Sequence, residues 1–230
     1  MKIAPLLLAA TLTAQAALAE TLLEERFENY GNEEEIVASE HGKWVSDQSD
    51  GGCIAPVLVT KDSQCIQLSA TPSGQIRNGF LWKSFPAVSQ SKVRLTFRML
   101  HNEGGAGQYV GLFNAARTAG YAIWWTAGDA PTTGVVKVLR FEGSNPIPWS
   151  DRGTEIAVVR AGSMTHDSQN LPLAAFDFFL DQKTGEFRLA IDGQDKAEGR
   201  DGSPIQALST VVLKGNKGAF FDDIVVATEN

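Results

Sequence analysis

Between residues 92 and 100 the chain alternates apolar and polar side chains one for one. Val93, Leu95, Phe97 and Met99 fall on one parity, and Arg94, Thr96 and Arg98 on the other. A strand sends successive side chains to opposite faces, so the segment predicts a strand with one buried and one wet face. The same style of segment recurs at 108–113, 120–126, 135–141, 155–160, 176–180, 186–191, 205–213 and 219–227. Gly, Asn, Asp and Pro punctuate the intervals, as antiparallel β structure requires. Asp181-Gln182-Lys183-Thr184-Gly185 and Asp192-Gly193 have turn composition, and the segments around the first of them predict a hairpin. Helical periodicity is nearly absent. With an N-terminal strand beginning at Thr21-Leu22-Leu23, at least ten strands without a helix of consequence fold back as two packed layers. The expectation is an all-β, two-sheet antiparallel sandwich.

The N-terminus departs from this pattern. Lys2 precedes an apolar stretch from Ile3 to about Leu12, and small residues lead to Ala17-Leu18-Ala19. That order is the one a signal peptidase reads. The stretch is too short for a membrane span, which needs about 20 residues. Residues 1–19 are therefore expected to be a cleaved signal peptide and 20–230 a single exported domain, periplasmic or extracellular. No later segment has the composition of a span. Removing residues 1–19 leaves 19 basic side chains against 27 acidic ones. That balance argues against nucleic acid, which selects a basic stripe. Cys53 and Cys65 lie twelve positions apart. In an oxidising compartment they most simply form one disulfide, with buried free thiols as the alternative.

Short motifs at both ends carry a resemblance. Leu22-Leu23-Glu24-Glu25-Arg26-Phe27-Glu28-Asn29-Tyr30, followed by Trp44, resembles the first strand of concanavalin A-like (laminin G-like) jelly-roll domains of exported bacterial proteins. Phe221-Asp222-Asp223-Ile224-Val225-Val226 is similar to their last strand, and Asp181-x-x-Thr184-Gly185 leading to Asp192-Gly193 to their late hairpin. The resemblance implies a jelly-roll connectivity with the first and last strands side by side. It also implies one structural calcium ion between them, with Glu28 and Asp222, or alternatively Asp223, as ligands; calcium takes hard oxygen donors, six to eight of them.

The chain is poor in recognisable catalytic patterns. The Glu-x-Asp-x-Glu string of jelly-roll glycosidases is absent. Asp177 and Asp181 share parity, but four residues of strand separate them by roughly 13 Å, too far for either glycosidase geometry. Arg94, Arg98, Tyr109, Tyr121 and His101 include the residue types of a polysaccharide lyase, yet the lyase string Arg-x-Glu-Leu-Arg is missing. No Gly-x-Ser-x-Gly occurs, and Gly104-Gly105-Ala106-Gly107 lacks the helix and Lys of a phosphate loop. The aromatic residues remain. Adjacent Trp124 and Trp125 must face opposite ways on a strand. Tyr121 and Ile123 share the parity of Trp125, which places Trp125 in the core and leaves Trp124 for the outer or concave face. Trp149 stands in a Pro-rich loop. The expected carbohydrate-binding set is Trp124, Arg94, Arg98, Trp149 and Tyr121, for a polysaccharide or glycoconjugate. An enzyme with an atypical site, lyase or hydrolase, and a structural envelope protein binding other proteins are the alternatives.

Overall fold

The computed structural model describes residues 19–31, 36–37, 42–46, 57–59, 64–68, 79–100, 107–126, 134–146, 153–160, 173–215 and 219–229. They form fifteen strands. In chain order these are β1 (Glu20–Glu25), β2 (Val45–Ser46), β3 (Val57–Val59), β4 (Gln64–Leu68), β5 (Gly79–Val88), β6 (Lys92–Leu100), β7 (Gln108–Asn114) and β8 (Ala119–Thr126). They continue as β9 (Val135–Glu142), β10 (Thr154–Arg160), β11 (Ala174–Asp181), β12 (Glu186–Ile191), β13 (Gln194–Arg200), β14 (Leu208–Gly215) and β15 (Ala219–Glu229).

Two antiparallel sheets result. The first has eight strands in the order β13-β12-β11-β6-β15-β4-β3, with β1 also paired to β15. The second has seven, β10-β9-β8-β7-β14-β5-β2. The first and last strands lie side by side as expected, Glu25 opposite Ile224 and Glu20 opposite Thr228. Beyond a bulge at Asp222–Asp223, where Asp223 takes φ 49°, the same edge of β15 pairs with β4.

Alternation explains the main core. Val93, Leu95, Phe97 and Met99 of β6 meet Val110, Leu112, Ile123, Trp125, Val136 and Val138 of the second sheet in one cluster between the layers. Phe97 stacks on Phe176 within the first sheet, ring centroids 5.0 Å apart, and Trp125 touches Phe176 from across the gap. The predicted turns close two hairpins in succession. Asp181 Oδ1 accepts from Lys183 N and Thr184 N in the turn between β11 and β12. Asp192 and Gly193 both take positive φ, the conformation a two-residue turn into β13 needs.

The short strands β2, β3 and β4 and three longer ones differ from the sequence reading. β5 reads as no strand because Phe80, Leu81 and Trp82 are apolar in succession; both faces of the second sheet are packed, which erases alternation. β13 is exposed along nearly its whole length and therefore carries no apolar pattern. β14 starts at Leu208 rather than 205, since Pro204 and a positive φ at Ala207 keep the preceding residues off the ladder.

Candidate functional site

The outward face of the second sheet holds a second apolar cluster: Phe80, Tyr109, Phe113, Ala122, Leu139, Phe141 and Val212, with Trp82 and Trp124 packed against it. These residues have the parity opposite to the inter-sheet core. Strand register arranges part of them as a row across the sheet. Phe80 of β5 stands opposite Lys214 of β14, Lys214 opposite Tyr109 of β7, Tyr109 opposite Trp124 of β8, and Trp124 opposite Lys137 of β9. The adjoining row runs from Trp82 through Val212, Gly111 and Ala122 to Leu139.

Trp124 and Trp82 are the half-buried aromatics of this face; Tyr109, Phe113 and Phe141 are at most 1% exposed. Each indole has a basic group against its ring. Lys214 Nζ lies 4.9 Å from the centroid of Trp124 and 5.4 Å from that of Tyr109. The Arg117 guanidinium lies 3.6 Å from the centroid of Trp82. Such contacts hold cation and ring in a fixed relation. The backbone of Gly107 seats the other edge of Trp124: a Cβ there would fall 1.4 Å from the indole Nε1, so no other residue fits. That Nε1 is buried with no hydrogen-bond partner. Trp82, Arg117, Lys214 and Lys137 were not among the expected residues. The shared parity of Phe80 with Trp82, and of Val212 with Lys214, was the available signal.

The expected set does not assemble. Trp125 is core and Trp124 lies on the opposite face, as parity requires. Arg94 and Arg98, however, belong to β6 in the other sheet, and their side chains leave the sandwich on the far side from Trp124. There Arg94 grips Asp177 with two hydrogen bonds, 2.9 and 2.5 Å, and reaches Glu229 at 3.0 Å. Arg98 lies 3.6 Å from Asp223. Tyr121 is buried between the layers. Its hydroxyl donates to Asp201 Oδ2 at 2.5 Å and accepts from Ile205 N at 3.0 Å, while Arg140 Nε donates to the same carboxylate oxygen at 2.7 Å. Burial, then the Asp201 hydrogen bond, pushes the Tyr121 hydroxyl well above its ordinary pKa. Trp149 lies outside the described residues, as do His41, His101 and His166.

The carboxylates that the resemblance assigns to calcium have other partners. Gln64 N donates to Glu28 Oε1 at 3.1 Å and Asp223 N to Asp222 Oδ1 at 2.8 Å. A guanidinium beside Asp223 works against a divalent cation there. Among the described residues no group of three His, Cys, Asp or Glu is disposed to hold a metal ion. The acid pair Asp177 and Asp181 is also committed, one to Arg94 and the other to its own turn.

Cys65 carries no disulfide and is fully buried on β4, in a small cluster with Leu100, Leu173 and Phe220. Desolvation, reinforced by nearby Asp222, pushes its thiol up to about 12. Cys53, the partner expected for it, lies outside the described residues. Among the described residues no helix is long and apolar enough to cross a membrane.

No family model matches the chain. No curated protein matches it in sequence. Solved structures do match. An endo-1,3-β-glucanase from Streptomyces sioyaensis superposes with a TM-score of 0.58 at 11% identity, over 92% of this chain and 97% of that one. The Emp47p carbohydrate recognition domain superposes with a TM-score of 0.55 at 10% identity, over 85% and 94%. The Emp46p carbohydrate recognition domain in a potassium-bound form gives 0.51 at 12% identity, over 86% and 95%. Identities this low speak to architecture. The chain has the concanavalin A-like jelly-roll fold, the two-sheet architecture that it shares with these lectin and glucanase domains.

Proposed function

We propose that the protein is an exported, non-catalytic carbohydrate-binding module that takes its glycan at Trp124 and Trp82 on the outward face of the second sheet. The observation that carries this reading is the pair of half-buried indoles on one sheet face, each fixed by a basic group against its ring. An indole face suits the apolar side of a sugar ring, and its fixed position lowers the entropy cost of stacking. The fold likeness to two carbohydrate recognition domains supports it further. Export is supported by the start of β1 at Glu20, immediately after Ala17-Leu18-Ala19: a cut at that point would leave every strand whole. The location is periplasmic or extracellular, where polysaccharides are accessible.

The alternative with a specific observation behind it is an enzyme, because a glucanase shares the architecture. Asp177 and Glu229, engaged by Arg94, Asp223, beside Arg98, and Asp181, engaged by turn backbone, are thereby poorly placed as catalytic acids.

The test is a glycan array with the mature protein, followed by the Trp124→Ala and Trp82→Ala variants. Binding that each substitution weakens about tenfold supports the site, the equivalent of about 1.4 kcal/mol. Wild-type binding by both variants would overturn it. Release of reducing ends, or of an unsaturated product absorbing in the ultraviolet, would replace the binding module with a hydrolase or a lyase.

A further inference from the structure

The outward side of the first sheet, across the sandwich from the two indoles, carries a groove that the proposed site does not use. Two hollows of about 640 and 630 Å³ meet there at Glu229. Strand register explains their lining. Phe178 and Leu180 point into the core, so Phe179 between them points out and is half-buried. Across the ladder Phe179 stands between two guanidiniums, Arg188 of β12 and Arg94 of β6, with Glu198 of β13 beyond Arg188. The next row sets Arg200 opposite Glu186, Asp181 opposite Lys92, and Lys92 opposite Glu229. Gly199 brings β13 in close, since a Cβ there would lie 2.5 Å from the Phe187 ring. Its neighbours Glu198 and Arg200 thereby form the groove's far wall, where Arg200 Nε donates to Thr184 O at 2.8 Å.

We infer that this groove is a second glycan-binding site, for a run of uncharged sugars, with one ring face on Phe179 and hydroxyls held by Arg188, Glu198 and Arg200. The inference rests on the glycan-binding reading above for its ligand class alone and adds a site on the other side of the molecule. Charge decides the class. Within the two rows Arg94, Arg188, Arg200 and Lys92 face Asp181, Glu186, Glu198 and Glu229, so the signs balance. A polyanion or a polycation gains nothing net from such a surface, and an apolar partner would have to strip water from every charge. A sugar hydroxyl both donates and accepts, so guanidinium forks and carboxylates serve it side by side. Phe179 supplies the apolar patch on which a ring can rest. Arg94 is held by Asp177 and Glu229 and acts as a fixed wall beside that ring. Arg188, Glu198 and Arg200 are exposed, within reach of a ligand. From Arg200 on β13 to Glu229 on β15 is four strand steps, roughly 19 Å at the usual spacing. That length suits several linked sugars rather than one.

The experiment titrates the mature protein with laminarihexaose, cellohexaose and mannohexaose in a calorimeter. The expected result is two sites per chain for at least one of them. Trp82→Ala combined with Trp124→Ala should leave one site. Phe179→Ala should weaken the other at least about tenfold. Arg188→Gln combined with Glu198→Gln should do the same with an unchanged melting curve, since both side chains are exposed; this pair decides the matter if Phe179→Ala fails to fold. A single site that the indole variants abolish and the groove variants leave intact would overturn the groove and keep the proposed site. A single site with the reverse pattern would support the groove and overturn the placement at Trp82 and Trp124. Binding of an unfolded polypeptide, reduced and carboxymethylated lactalbumin, that Phe179→Ala abolishes while no hexasaccharide binds there would replace the sugar with an extended peptide and overturn the class. No binding of any hexasaccharide would overturn both glycan sites together.

Discussion

Lys83 of the second sheet and Glu25 of the first meet across the open side of the sandwich, Nζ 2.7 Å from Oε2. Glu25 is 7% exposed although it is an acid, because its parity on β1 points it inward. Four donors converge on its carboxylate: the Lys83 ammonium, Trp44 Nε1, the Tyr30 hydroxyl and Phe27 N. Lys83 also lies over the Trp44 ring. The group ties β1 to β5, so its integrity decides whether the first strand stays docked. Truncating one member leaves a buried charge uncompensated, whereas replacing both by apolar groups does not. Glu25→Leu should cost about 3 kcal/mol in urea denaturation, and Glu25→Leu with Lys83→Met should recover much of it. A double variant as unstable as the single one would show that the ammonium is not the partner that matters.

Asp201 makes stability depend on acid pH. Burial works to raise its pKa, but hydrogen bonds from Tyr121, Ser203 N and Arg140 outweigh that and hold the carboxyl below its ordinary value. A depressed folded-state pKa contributes stability that is fully present above the unfolded value, about 3.9, and is lost as pH falls through the folded one. Urea midpoints measured from pH 6 down to pH 2 should therefore fall more steeply in wild type than in Asp201→Asn. At neutral pH that substitution should itself cost about 1.5–3 kcal/mol, as for a hydrogen bond to a charged group. Parallel curves for the two proteins would remove Asp201 from the account.

Gly185 sits where the hairpin between β11 and β12 touches the segment after β13. It has φ 79°, its N donates to Asp181 O, and a Cβ would lie 1.9 Å from the Asp201 carbonyl oxygen. Gly185→Ala should lower the melting temperature by several degrees, the left-handed backbone alone costing about 1–3 kcal/mol. An unchanged melting temperature would mean that the turn relaxes freely.

The Cys65 thiol should resist alkylation at pH 8 in the native protein and react at once in denaturant, since the thiolate is the reactive form and burial holds its pKa near 12. Rapid labelling of native protein would contradict the burial; failure to label even when unfolded would mean that a disulfide holds it.

Chelation should leave the melting temperature unchanged, because Glu28 and Asp222 each accept a backbone hydrogen bond and a guanidinium stands beside Asp223. A drop after chelation would reopen the site.

Much of the fold was legible where one face of a strand is wet. β6 buries every second residue as its alternation predicts, and the parity of Ile123 and Trp125 places both inward; Tyr121 shares that parity and is core, although it was expected in the binding set. Parity does not say which sheet a strand joins. Arg94, Arg98 and Trp124 all have outward parity, yet β6 pairs with β11 and β15 whereas β8 pairs with β7 and β9, so the three leave opposite sides of the molecule. For β6 that choice rests on partners distant in sequence, Met99 with Ala174 and Leu100 with Phe220, for which no local pattern exists. Trp82 was hidden for a different reason: it stands in a strand packed on both faces, and the cation against it, Arg117, comes from another part of the chain.

The position of β15 bears on how the molecule is made. It lies inside the first sheet, flanked by β6 on one edge and by β1 and β4 on the other. Until residues 219–229 have been synthesised, that sheet has a gap in its middle and β1 has no ladder to join. A growing chain thus cannot lock its N-terminal strand early, and it stays threadable through a narrow translocation pore for nearly the whole of its synthesis. On the proposed export route, closing the sheet with the last strand would be a built-in delay on folding.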